Sequence, residues 1–314
     1  MSKAPAETPI IADGAPTLAS TRNEWISHLR GLNRSPQTIA LYLRALDGLD
    51  RFLTEQGMPR ALRAIRREHL EAWMVAMQDR GLAPSHVSIL FRAVRPFFGY
   101  MVDEDELDRS PMDKMRTPAV PFDPPKVLDP SQVAALLAAC RGTDFISRRD
   151  LALLSLMLDT GLRRGEVAGL TLGDLNVAQR TAYIASSTSK SRRGRAIVYG
   201  DSSAKALLRY LRHPKAPHAA QEPLWRARTG LPLTGNEIYH TLRRRAAQVG
   251  LVVHPHQLRH TWADAMLKSG HNEGDVMQLG GWASRQMLDR YGASVAAERA
   301  RDAYRSPVDR LARR

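Results

Sequence analysis

The chain contains a single cysteine, Cys140, and only 7 lysines against 39 arginines. One thiol excludes an intrachain disulfide framework and any cysteine-built metal cluster. Cys140 sits in the apolar helical run SQVAALLAAC, which predicts a buried, inert thiol. No apolar run approaches the roughly 20 residues that a membrane-spanning helix needs. The N-terminal stretch MSKAPAETPIIADGAPTLAS lacks the apolar core of a secretory signal. Its alanine, proline and polar content predicts a disordered tail over residues 1–16. Neither a GxxxxGK[ST] phosphate loop nor a GxGxxG turn occurs, so no nucleotide cofactor is expected. A cytoplasmic protein fits these absences.

What the chain has in excess is positive charge: +14 net, with a sequence pI near 10.4. A chain this basic faces a polyanion, nucleic acid first among them, or carries a solvated basic surface. Arginine suits bidentate phosphate contacts, although genome base composition also enriches it.

The 314 residues predict two domains. Residues 17–115 read as a unit of four or five helices. In SPQTIALYLRALDGLDRFLTEQG, Ser35 is placed to cap, Pro36 starts the helix and Gly57 ends it. Residues 116–128, RTPAVPFDPPKVL, hold four prolines and read as an extended linker. Residues 129–314 form the second unit. It opens on Asp129 as N-cap with Pro130 after it, and RRDLALLSLMLDTG is a buried helix closed by Gly161. TAYIA and RAIVYG predict short strands around the polar turn SSTSKSRRG, and helices return from Thr234 onward.

Four separated pieces of this second unit each offer a group that suits phosphate chemistry. TGLRRGEVAGL places Arg163 at a helix start with Glu166 three residues on. SKSRRGRAIVYG places Lys190 at a hairpin tip. HPHQLRH places His256 and Arg259 on one helical face, and LGGWASRQMLDRYG holds Trp282 and Tyr291.

In order and at this spacing, these boxes resemble the tyrosine recombinase, or phage integrase, family. The TGLRxxE box, the hairpin lysine, the HxLRH box and the LGxW box followed by a tyrosine run from Thr160 to Tyr291. The resemblance extends over nearly everything after residue 17. It implies a mainly α protein of two domains: an N-terminal helical, SAM-like core-binding bundle and a C-terminal mixed α/β catalytic domain with a small antiparallel sheet. It also implies a site-specific recombinase that works without metal or cofactor. Arg163 and Arg259 would clamp the non-bridging oxygens of a phosphodiester. Tyr291 would attack, His256 would handle its proton, Lys190 would protonate the leaving 5′-hydroxyl, and Trp282 would donate its indole N–H. Glu166 would orient Arg163, and His260 would play a supporting part. Arg34, Thr38, Tyr42, Arg44, Ser85 and Arg92 of the first unit, with Arg243 and Arg244 of the second, are candidate backbone contacts to double-stranded DNA core sites. The segment 292–314 would dock on a neighbouring protomer, giving a dimer per site and a tetramer at synapsis, with or without accessory proteins.

Each residue has a plainer reading beside this one. His256 and His260, four apart, match a zinc pair, but Gln257 breaks HExxH and no carboxylate or cysteine cluster lies nearby. Lys190 alone would be a solvated turn lysine. It is nevertheless the only lysine between residues 127 and 204, in a hairpin otherwise supplied with arginine. Trp282 also suits a core, and the run Arg243, Arg244, Arg245 suits a solvated helix face. Where many members carry histidine, this chain has Trp282, which points away from Xer-type chromosome or plasmid resolution and toward a mobile element or phage. A type IB topoisomerase and a DNA-binding regulator that has lost catalysis are the rival functions.

Overall fold

The computed structural model describes residues 15–121, 125–186, 194–282 and the single positions 284, 285, 288 and 304. The chain divides into two compact units, Met1–Phe122 and Asp123–Arg314. Of the expected tail over 1–16, residues 1–14 lie outside the described residues, as do Lys190, Tyr291 and, apart from Tyr304, the docking segment 292–314.

The first unit is a helical bundle. Its helices are α1 (Arg22–Gly31), α2 (Pro36–Glu55), α3 (Arg67–Asp79) and α4 (Pro84–Asp103). The chain enters at Pro16, whose carbonyl accepts the Leu62 N–H at 2.8 Å. The Ser35 hydroxyl accepts the Thr38 N–H at 3.2 Å, satisfying one orphan donor at the start of α2. Gly57, at φ 62°, ends the same helix in a conformation that a side chain resists. The inward stripe of α2 is Ala45, Leu46, Leu49 and Leu53. It packs on Leu70 and Trp73 of α3 and on Phe91, Phe97 and Phe98 of α4. Each buried leucine or phenylalanine among them stabilises the bundle by about 1.5–3 kcal/mol.

The second unit is mostly helical with one sheet. Helices α5 (Pro130–Ala138), α6 (Phe145–Thr160) and α7 (Arg164–Ala168) precede the strands β1 (Leu175–Asn176), β2 (Thr181–Ile184) and β3 (Arg195–Val198). Helices α8 (Asp201–Leu211), α9 (Gly235–Ala247), α10 (Pro255–Lys268) and α11 (Glu273–Gly280) follow. The strands pair antiparallel in the order β1-β2-β3. Register sets Thr181 opposite Val198 and Ile184 opposite Arg195. Alternation turns Ala182, Ile184 and Ile197 inward and leaves Tyr183 and Val198 exposed. The two residues of β1 carry no periodic signal, which is why the sequence shows only the other two strands.

Helix α6 is the centre of the unit. Asp144 caps its start by accepting the Ser147 N–H at 3.0 Å. Ala152, Leu153, Leu154, Leu156 and Met157 are all buried, so the helix is apolar on most sides, as a central helix must be. Cys140 follows α5 and is buried in the same core, and burial pushes its thiol up to about 12. No helix among the described residues is long and apolar enough to cross a membrane.

Candidate active site

The end of α6 begins the site. Gly161 is left-handed at φ 60° and closes the helix by donating its N–H to the Met157 carbonyl at 3.0 Å. A Cβ at this position would lie 2.3 Å from the Trp262 ring, so both torsion and space demand glycine. Two residues later Arg163 occupies the N-cap of α7. Its backbone N–H donates to Glu166 Oε2 at 2.9 Å and its Nη1 donates to Oε1 at 3.0 Å. Glu166 is only 1% exposed, whereas the Arg163 side chain keeps 21%. This is therefore a buried carboxylate aiming a partly open guanidinium, not a surface ion pair. Burial alone would raise the Glu166 carboxyl. Hydrogen bonds from Arg195 and the Arg163 N–H, and the charges of both arginines, outweigh burial and hold it below its ordinary value.

Helix α10 supplies the second guanidinium. His254 stands at its N-cap and Pro255 at its first position. Leu258 and Trp262 are buried, and Arg259 between them is buried too, at 2% exposure. A buried arginine needs acceptors. Arg259 Nη1 donates to the Gly161 carbonyl at 2.6 Å and Nη2 to the Gly280 carbonyl at 2.5 Å. Its guanidinium lies 4.4 Å from the centre of the Trp282 ring, a cation–π contact. Trp282 packs in turn on Trp262, at 5.9 Å between ring centres. Gly281, left-handed at φ 62°, turns the chain between α11 and Trp282, and its carbonyl accepts from Arg163 Nη2 at 3.4 Å. The two arginines thus share one turn, on the successive carbonyls 280 and 281. Those carbonyls belong to a helix C-terminus, whose partial negative charge suits cations.

The structure therefore brings Arg163, Glu166, Arg259 and Trp282 together from four stretches of chain. His256 lies one turn before Arg259 and is exposed; its ring stacks on His260 at 5.8 Å. Among the described residues no three His, Cys, Asp or Glu side chains converge. In the first unit, Arg34 precedes α2, while Thr38 and Ser85 lie in the first turns of α2 and α4. Arg34, Arg44, Ser85 and Arg92 are exposed. The Tyr42 ring is stacked against Trp25 at 6.3 Å, so much of it faces the bundle.

Two features went unread in the sequence. Arg195 donates Nη1 and Nη2 to the two Glu166 oxygens at 3.0 and 2.9 Å, and Nε to the Leu279 carbonyl at 2.9 Å. Its signal was present: Arg195 shares a strand face with buried Ile197, and a charge on that face requires a partner. The second is Asp150, fully buried, whose carboxylate accepts from Arg149 at 2.6 Å, Arg245 at 2.8 Å and Arg244 at 3.1 Å. The run Arg243, Arg244, Arg245 is consequently not a uniformly solvated face. Arg245 is buried, Arg243 half-buried, and exposed Arg244 is tied to Asp150.

Residues 126–298 match the sequence pattern of the phage integrase family, and that span is more than half of the chain. The chain belongs to this family, the tyrosine recombinases. The recombinase is 27% identical over 241 residues to tyrosine recombinase XerD of Shewanella oneidensis, covering 75% of this chain and 79% of that one. It is 29% identical over 259 residues to tyrosine recombinase XerC of Roseiflexus sp., covering 80% and 82%. Its fold resembles the Tn1549 transposon integrase solved with transposon right end DNA, with TM-score 0.75, 20% identity, and 92% and 100% of the two chains covered. A lambda integrase dimer bound to a core site gives TM-score 0.72 at 16% identity, covering 88% and 95%. The recombinase is accordingly an enzyme of the site-specific recombinase class, and its mainly helical fold with one small antiparallel sheet is the family's.

Proposed function

We propose that the recombinase cleaves and rejoins DNA strands at specific core sites through a 3′-phosphotyrosine intermediate and a Holliday junction, in the service of a mobile element or phage. The observation that carries this reading is the pair of guanidiniums, Arg163 and Arg259, held on successive carbonyls beside Trp282. In-line displacement at a phosphodiester builds charge on the non-bridging oxygens, and two fixed cations stabilise that charge. The Tyr291 phenolate oxygen attacks phosphorus and the bond to the 5′-oxygen breaks. His256 takes the phenol proton and Lys190 gives one to the departing 5′-hydroxyl. The reverse reaction with another strand's 5′-hydroxyl restores the diester, so neither ATP nor metal is consumed. The net charge of +14 suits a double-stranded DNA partner. Self-association on DNA runs through the segment 292–314, as a dimer per site and a tetramer at synapsis. A groove of about 430 Å³, with Ile197, Trp262 and Leu279 beside the polar Asp159, Arg180 and His271, offers a mixed apolar and charged seat for such a segment.

A second reading is Xer-type chromosome or plasmid resolution, which the XerC and XerD relatives favour. Trp282 in place of histidine favours the mobile element.

The test is a nicked candidate core site incubated with the full chain and resolved on a denaturing gel. Wild type forms a covalent protein–DNA adduct, Tyr291→Phe forms none, and EDTA changes nothing. Absence of the adduct on a site that the protein binds would overturn the catalytic reading. An adduct in Tyr291→Phe would move the nucleophile elsewhere. Lys190→Ala slows cleavage, and a 5′-phosphorothiolate leaving group restores it.

A further inference from the structure

We infer that Arg195 is a positioning residue for strand cleavage, holding Arg163 available to the scissile phosphate by sharing the Glu166 carboxylate. The inference rests on the recombinase reading of the site. Arg195 opens β3, and its side chain is 9% exposed against 21% for Arg163. The two cations stand on one buried carboxylate, Arg195 the deeper and Arg163 the more exposed. Arg195 takes both carboxylate oxygens in a bidentate fork, at 3.0 and 2.9 Å. Arg163 takes one side-chain bond, to Oε1 at 3.0 Å. The negative charge of Glu166 is therefore divided, and the larger geometric share goes to the more buried arginine.

Without Arg195 the carboxylate has only Arg163 to neutralise it. A buried carboxylate with one cation draws that cation into the fork geometry, away from a phosphate. Arg195 has a second tie. Its Nε donates to the Leu279 carbonyl, at the end of the helix whose next two carbonyls hold Arg259 and Arg163. A Cβ on Gly281 would lie 2.7 Å from Arg195 Nη1, so the turn before Trp282 is closed down onto this guanidinium. One side chain thereby fixes Glu166 and the carbonyl turn together. It does so from the first residue of β3.

The experiment measures adduct formation at saturating protein with Arg195→Gln and Arg195→Lys. Each is assayed on the natural phosphate and on a neutral methylphosphonate at the cleavage position, with melting temperature and DNA affinity measured alongside. Arg163→Ala is the reference, since it removes the clamp itself. Arg195→Gln is expected to slow cleavage of the phosphate by about 10- to 100-fold, the usual cost of losing an orienting partner. Affinity stays near wild type, and melting falls, because a buried carboxylate loses one of its cations, but remains above the assay temperature. On the methylphosphonate, which carries no charge to clamp, the defect shrinks several-fold, as it does for Arg163→Ala. Arg195→Lys recovers only part of the rate, because an ammonium cannot span the fork. An equal defect on both substrates, or melting of both variants below the assay temperature, would make Arg195 merely structural, and no defect would make it dispensable; each overturns the inference. Failure of wild type to form any adduct would overturn the recombinase reading itself.

Discussion

Glu166 is the residue on which the site's electrostatics turn. Its folded carboxyl lies below the ordinary value of 4.5 despite burial, because two arginines and a backbone N–H favour the ionised form. A depressed carboxyl stabilises the fold fully above the unfolded value, and that stabilisation disappears as pH falls through the folded value. Glu166→Gln should therefore be less stable than wild type at pH 7, with the gap closing as pH is lowered below the ordinary carboxylate range. Melting curves of the two proteins between pH 7 and pH 3 would check this; a gap that stays constant would show that the carboxylate's charge is not what stabilises. Arg163, Glu166, Arg259 and Trp282 were legible in sequence because each sits in a short box whose spacing survives any fold. Arg195 was not, because its partner lies 29 residues away and only strand register brings them together.

Helix starts were readable because caps are local. Ser35 before Pro36 and Asp129 before Pro130 both cap where the residue types say. The partners of a buried charge are not local. Asp150 on α6 gathers Arg149 from its own helix and Arg244 and Arg245 from α9, and Arg245 also reaches the Ala139 carbonyl at 2.9 Å. The sequence shows three adjacent arginines and nothing to say that one turns inward. Asp150→Asn should destabilise the protein by roughly 3–5 kcal/mol, because it leaves guanidiniums without their counter-charge in the interior. Denaturant unfolding of the full chain measures it. A loss under about 1 kcal/mol, the worth of an exposed pair, would mean that water reaches the network.

The whole molecule is a strongly basic chain in two units, and the division after Phe122 falls in the stretch where prolines interrupt periodicity. Charge and proline content are visible at that scale without any structure, whereas the seating of individual arginines is not. DNA affinity should fall at least about 1,000-fold between 50 and 200 mM salt if six or more phosphates are contacted. Gel-shift titrations across that range provide the slope, and a nearly flat dependence would remove backbone contact as the source of affinity. The cleavage rate at saturation should respond far less, because Arg259 and Glu166 are shielded by burial.

The arginine pair rests on main chain. Gly161, Gly280 and Gly281 offer carbonyls, and every amino acid has one, so exchanging a side chain does not delete these acceptors. What an exchange at Gly161 or Gly281 does alter is the torsion that aims the oxygen. Sequence drift can therefore rework the DNA-facing surface while the chemistry stays in place, provided those two positions remain glycine. Selection for a new target site would then leave a recognisable record: changes scattered over exposed helix faces, and silence at two glycines.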